Sequence, residues 1–247
     1  MLAIYILCVI LACLVGYLLG SLPFSVWIGT LATGVDLRKH GVKNPGGMNA
    51  AVTYGMKIGL PIIFLDFLKG TTTILLIDQL FALDFFIAPD GANIWHTLAS
   101  ILGPVCCIAG HNYSIFLKFE GGQGLGVFLG VSWYLNPILL VFYAVGIIAA
   151  MLLFKANVRI GTLVIIILEI ILIMFIRINP PWSHMPEFRF PWTPWFMQVK
   201  LPIIFLAMFA MIFIRALQAL RRQSASATWR VSTDGKREFR HKETLPE

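Results

Sequence analysis

Charge is the scarcest commodity in this 247-residue chain: only 13% of residues are Asp, Glu, Lys or Arg, and only 12 are acidic. Soluble domains carry about a quarter charged residues. With 58% hydrophobic residues and a mean hydropathy of +0.83, a water-soluble globule is excluded. Cysteine is scarce too. Cys8, Cys13, Cys106 and Cys107 all lie in apolar runs without zinc-ligand spacing, and read as small buried hydrophobes. There is no internal repeat. Nor is there a basic region ahead of the first apolar run, which is about twice the length of a signal-peptide core and is expected to be retained as a span.

What the chain has is apolar length. Seven runs cover residues 2–31, 58–83, 94–117, 125–135, 137–154, 160–176 and 199–217. A spanning helix needs about 20 apolar residues. The fourth run is short and is expected to be half-length, tilted or re-entrant, joined to the fifth through Asn136-Pro137. The expected fold is an all-α polytopic membrane protein with seven transmembrane helices, the N-terminus outside and the C-terminus cytoplasmic. Basic residues set that orientation. It places Arg38, Lys39, Lys43, Lys57, Lys118, Lys155, Arg159 and the basic residues from Arg215 onward inside, and only Arg177, Arg189 and Lys200 outside. The +7 net charge therefore reflects membrane orientation, and nucleic acid is not an expected partner. Residues 177–198 are rich in Pro and Trp (Trp182, Trp192, Trp195) and read as an external loop at headgroup level. Residues 1–222 are expected to form one transmembrane domain. Residues 223–247 are expected to be a basic cytoplasmic tail without regular structure, attracted to anionic lipid.

Three polar features interrupt the oil. Near the end of the first run, Gly20-Ser21-Leu22-Pro23 precedes residues 36–49, DLRKHGVKNPGGMN. Pro23 frees backbone carbonyls, which Ser21 or Ser25 can satisfy. The loop itself is either a plain polar connector or one wall of an anion site. Its glycines allow a nest of backbone amides, Arg38 offers a planar fork for phosphate, and Asn44 and Asn49 can orient a hydroxyl or phosphate oxygen. The second feature is Asp66-Phe67-Leu68-Lys69-Gly70, buried in an apolar run. Ionisable groups at such depth pair or face a polar cavity, and a spacing of three puts Asp66 and Lys69 on one helix face. They form either a self-neutralising pair or a site in which Asp66 steadies Lys69. The third feature is Gly110-His111, followed by Glu120-Gly121-Gly122-Gln123-Gly124-Leu125-Gly126. Four glycines in six residues opening into a helix suit an anion; His111 is either structural or part of that site.

In order and spacing, these features resemble the three cytoplasmic motifs of the PlsY family of acyl-phosphate:glycerol-3-phosphate acyltransferases, over residues 16–162. GSLP with DLRKHGVKNPGGMN resembles the first motif, DFLKG the second, and GHNYSIFLKFEGGQGLGV the third. The resemblance implies transfer of a fatty acyl group from acyl phosphate to the 1-hydroxyl of sn-glycerol 3-phosphate, giving lysophosphatidate and phosphate. No metal or other cofactor is implied. It assigns Ser21, Arg38, Asn44, Gly46 and Asn49 to one half-site and Gly121, Gly122 and Gly124 to the other. Arg159 and Thr162 resemble an Arg-x-x-Ser element that holds the polar acceptor. The chain departs from the pattern at Val42-Lys43, at Gly47-Met48, and at Gln123, where the family has Lys. Lys43 is the expected replacement cation. The family's Arg-His-x-x-Asn element near the last span stands here as Arg215-Ala216-Leu217-Gln218-Ala219, without the His and Asn. A non-catalytic lipid- or phosphate-binding relative and a small-anion carrier are the alternatives.

Overall fold

The computed structural model describes residues 2–41, 43–81, 94–154, 158–175, 200–231 and 237–241. The Trp- and Pro-rich stretch at 177–198 and Lys155 lie outside them, and so does the side chain of Arg159.

The first apolar run is two helices, α1 (Leu2–Ser21) and α2 (Phe24–Thr33). Pro23 lacks the N–H that would continue the ladder, so the helix breaks there. Helix α2 stops at Gly34, whose left-handed backbone (φ 72°) lets its N–H cap Thr30. A short α3 (Gly47–Tyr54) follows the first polar loop, and then α4 (Met56–Phe81) and α5 (Ile94–Asn112). The second glycine loop leads into α6 (Leu125–Leu135), followed by α7 (Pro137–Phe154), α8 (Val158–Phe175) and α9 (Lys200–Ser226). Asn136-Pro137 separates α6 from α7 by simple chemistry. Pro137 takes the first helical position, where its missing N–H costs nothing, and the Asn136 side chain accepts from the Ile138 N–H at 3.1 Å.

Among the described residues, four helical stretches are long and apolar enough to cross a membrane: Leu2–Thr33, Met56–Phe81, Ile94–Leu117 and Leu201–Arg221. Leu125–Leu135, Pro137–Leu152 and Ile160–Ile173 are shorter apolar helices. At 1.5 Å per residue α6 is about 16 Å long, roughly half of a bilayer's hydrocarbon core, as its short run suggested.

Large apolar side chains such as Leu7, Leu14, Val145 and Leu152 point outward, as they must when lipid is the solvent. Helix α1 buries Cys8, Ala12, Gly16 and Gly20, one small residue every fourth position. That stripe lets α1 and α5 approach closely; a Cβ on Gly20 would run into the Cys107 backbone. The main core lies among α4–α9, with Phe128 of α6 edge-on to Phe205 of α9 at 5.1 Å between ring centroids.

Helix α9 runs past the expected boundary at 222 to Ser226. Beyond it β1 (Ala227–Val231) pairs antiparallel with β2 (Arg237–His241), with Thr228 opposite Arg240 and Trp229 opposite Phe239. Residues 223–231 and 237–241 thus carry regular structure where the composition implied none. In the first strand Ala227, Trp229 and Val231 alternate with Thr228 and Arg230, a strand period.

Candidate active site

The break between α1 and α2 strands backbone carbonyls inside the protein, and other elements supply their donors. Ser114 Oγ donates to the Ser21 carbonyl, and Lys69 Nζ to the Leu22 carbonyl. Lys69 also donates to Asp66 Oδ1 at 2.7 Å, and both side chains are no more than 5% exposed. The Phe24 ring covers the ammonium at 4.9 Å. His111, from the end of α5, brings Nδ1 to 3.7 Å from the same Asp66 oxygen. The pair foreseen in α4 is therefore the hub of a buried cluster fed by α1, α2, α4 and α5.

This cluster floors a small recess, partly open to solvent, lined among others by Ser21, Ser25, Pro45, Asp66, Lys69, His111, Ser114, Gly121 and Gly122. Ser21 Oγ is buried and has no hydrogen-bond partner. A buried polar atom in that condition calls for a ligand or water. Two of the three Lys69 N–H bonds are already engaged. The remaining one and the Ser21 hydroxyl are the donors this floor can offer an oxyanion.

The first loop is firmly held. Leu37 is fully buried with Ala50 and Ile62. Ser25 Oγ donates to the Pro45 carbonyl at 2.8 Å, tying the loop to α2. Asn49 spends its amide on the carbonyls of His40 (3.2 Å) and Asn44 (3.0 Å), so it staples the loop. Gly46 caps α3 beside a half-buried Asn44. Arg38 is exposed and locked as a fork onto Asp36, with Nη2 to Oδ2 at 2.8 Å and Nε to Oδ1 at 3.0 Å. Hydrogen bonding to Arg38 holds the Asp36 carboxyl below its usual range, and the same bond raises Arg38. Lys43 is exposed on a left-handed backbone (φ 54°). Neither Arg38 nor Lys43 lines the recess.

The second loop lies flat on the end of α5. The Gly122 N–H donates to the His111 carbonyl at 3.0 Å, and a Cβ on Gly122 would meet the His111 ring. Glycine is needed there for close approach as much as for a ligand. Gly124, at φ 79°, caps α6, and Gln123 is half-buried. Thr162, in α8, is buried and hydrogen-bonded to the Tyr143 hydroxyl at 3.0 Å, away from the recess. Ser114 carried no local signal and was missed. Arg215 of α9, read from the sequence only as part of the element near the last span, donates from Nη2 to the Gly121 carbonyl (2.7 Å) and from Nε to the Gly122 carbonyl (3.1 Å).

The three motifs thus meet at one recess. The sequence model for glycerol-3-phosphate acyltransferase matches residues 10–225, nearly the whole chain. The chain belongs to the glycerol-3-phosphate acyltransferase family. A glycerol-3-phosphate acyltransferase from Bacillus cereus is 39% identical over 53% of this chain and 60% of its own length. The chain thus spans about 60% of the length of such curated relatives. A longer match, to glycerol-3-phosphate acyltransferase 2 of Moorella thermoacetica, is 31% identical over 71% of this chain and 81% of the relative. The crystal structure of PlsY, an integral membrane glycerol 3-phosphate acyltransferase, in its glycerol 3-phosphate form, superposes with a TM-score of 0.65. That match has 25% identity and covers 88% of this chain and 92% of that one. The lysophosphatidic acid form of PlsY gives a TM-score of 0.64 at 24% identity, a likeness of fold. This family member is accordingly an integral membrane protein with several apolar helices.

Proposed function

We propose that the protein is a membrane acyltransferase that moves a fatty acyl group from acyl phosphate to the 1-hydroxyl of sn-glycerol 3-phosphate, releasing lysophosphatidate and phosphate. The observation that carries this reading is the recess itself, where an unpartnered Ser21 hydroxyl, Lys69 and His111 converge beside two glycine loops. Family membership supports it, as does the likeness to a PlsY structure whose form is named for glycerol 3-phosphate.

In this mechanism the acyl phosphate arrives already activated, so no protein nucleophile is needed. Ser21 and Lys69 bind a phosphate oxygen at the recess floor, and Asp66 holds the Lys69 side chain in place. Gly121, Gly122, Gln123 and Gly124 form the opposing wall. Arg38, Lys43, Asn44, Gly46 and Asn49 belong to the loop that borders the phosphates, with Arg38 exchanging its Asp36 partner for a phosphate. From α8, Arg159 is the residue left to hold the acceptor, Thr162 being engaged with Tyr143. The hydroxyl of the acceptor attacks the acyl carbon, the acyl–phosphate bond breaks, and the departing phosphate takes the proton. Positioning and charge stabilisation supply the acceleration. The site faces the cytoplasm of a cell membrane crossed seven times, with the N-terminus outside, as the bias of basic residues favours. Residues 1–222 carry the reaction and 223–247 form a basic appendage.

The test is turnover by purified protein in detergent given acyl phosphate and glycerol 3-phosphate, followed as lysophosphatidate and phosphate release. Binding of both substrates without product would replace the enzyme by a phosphate-binding relative. Flux of either substrate across proteoliposomes would make it a carrier. A gain on Gln123→Lys would mark the site as a weakened version of the family pattern, and a loss would mark one rebuilt around glutamine.

A further inference from the structure

The second glycine loop has glutamine at its centre, so it brings no cation of its own. Lys43, the candidate replacement, is exposed outside the recess. Lys69 is formally balanced by Asp66 at 2.7 Å. The charge that does reach the loop comes from the last helix. Arg215 is 7% exposed and donates to two successive loop carbonyls, Gly121 O and Gly122 O. Its guanidinium lies over the Tyr113 ring at 5.3 Å, and Nη1 donates to Gln218 Oε1 at 3.3 Å. The Tyr113 hydroxyl donates to the same Gln218 oxygen at 3.0 Å, which fixes the glutamine in turn.

This geometry decides where the loop's amides point. In a trans peptide the C=O and N–H are opposed. With the Gly121 carbonyl on Arg215, the Gly122 N–H is turned to the His111 carbonyl, where it is found. With the Gly122 carbonyl on Arg215, the Gln123 N–H is aimed away from the guanidinium. Planar, five-donor arginine can hold two carbonyls at once, and lysine cannot reproduce that fork.

We propose that Arg215, braced by Gln218 and Tyr113, is the positioning residue of the phosphate-binding loop, holding two successive loop carbonyls from behind so that the glycine amides keep their orientation. The proposal rests on the reading of the recess as a phosphate site.

The experiment measures glycerol 3-phosphate affinity of the purified full chain by calorimetry, with turnover measured in parallel. Arg215→Gln is expected to weaken binding by about tenfold, as loss of charge-assisted bonds implies, and to raise KM far more than it lowers kcat. Arg215→Lys, which keeps the charge but not the fork, is expected to bind nearly as weakly. Binding within about twofold of the wild type in Arg215→Gln would overturn the proposal, and so would wild-type affinity in Arg215→Lys. Should Arg215→Gln not fold, Gln218→Ala takes its place. A weakened affinity at unchanged unfolding temperature supports the brace, and an unchanged affinity overturns it. Wild-type protein that binds glycerol 3-phosphate without turning it over defeats the acyltransferase reading and leaves this proposal standing. Wild-type protein that does neither defeats both.

Discussion

The same two helices carry an acid, a base and a histidine at one end and an acid–histidine pair at the other. At the recess, Asp66 and Lys69 of α4 meet His111 of α5, all of them buried. Twelve residues along α4, or about 18 Å, Asp78 meets His96 of α5 at 2.8 Å, with side chains 24% and 31% exposed. Tyr134 of α6 also hydrogen-bonds Asp78, and the Phe81 ring lies 5.3 Å from the imidazole. The inventories are alike, and the surroundings are not. At the far end Ser100 is satisfied by its own helix, on the His96 carbonyl. At the recess end a helix break and two glycine loops arrive together, and Ser21 Oγ is left without a partner. An acid–histidine contact between helices is a clamp. It becomes a candidate site where broken backbone brings polar atoms that the protein does not itself fill.

The strongest challenge to this contrast is Lys69→Met. It strands the Asp66 carboxylate in a buried setting, and breaking such a pair costs about 3–5 kcal/mol. Thermal unfolding in detergent should drop sharply and turnover should vanish. Gly20→Ala comes next. Its methyl meets the Cys107 backbone, and overpacking of this kind costs about 1–3 kcal/mol. The unfolding temperature should fall, and turnover with it, because α1 carries Ser21; full activity would mean that the α1–α5 spacing does not set the site.

Ser25→Ala should cost about 1 kcal/mol by releasing the Pro45 carbonyl. Its measurable sign is a higher KM for glycerol 3-phosphate, since the loop beside the recess loosens. At the far end Asp78→Asn should cost only about 0.2–1 kcal/mol and leave kcat and KM unchanged; a large kinetic effect there would dissolve the distinction between the two ends.

The smallest effect is one of pH on the first loop. Arg38 lowers the Asp36 pKa, so the fork stabilises fully above the ordinary carboxylate value of about 4 and is lost as pH falls through the lowered one. The stability difference between wild type and Asp36→Asn should be constant above about pH 4 and shrink only below it. A difference that begins to shrink at neutral pH would contradict the fork.

What the sequence made legible was local. Pro23 and Asn136-Pro137 announced their helix breaks, and the spacing of three between Asp66 and Lys69 announced their pairing. What it hid was long-range or already spent. Nothing near Arg215 says that its partners lie 93 and 94 residues earlier. Asn49 and Arg38 read as ligand-facing because their side chains suit phosphate. The fold engages one on loop carbonyls and the other on Asp36. Glu169 passed unnoticed inside an apolar run, yet it is wholly buried with neither carboxylate oxygen partnered.

The break at Pro23 also bears on how the molecule comes to exist. Its two stranded carbonyls are filled from 47 residues later, by Lys69, and from 93 residues later, by Ser114. A nascent chain whose first apolar run has just entered the membrane therefore carries an unsatisfied kink. Chains are made from the N-terminus onward, so the Leu22 carbonyl waits for the second motif and the Ser21 carbonyl for the third. Assembly of the recess and repair of that kink run through the same two stages, and a chain halted before residue 114 completes neither.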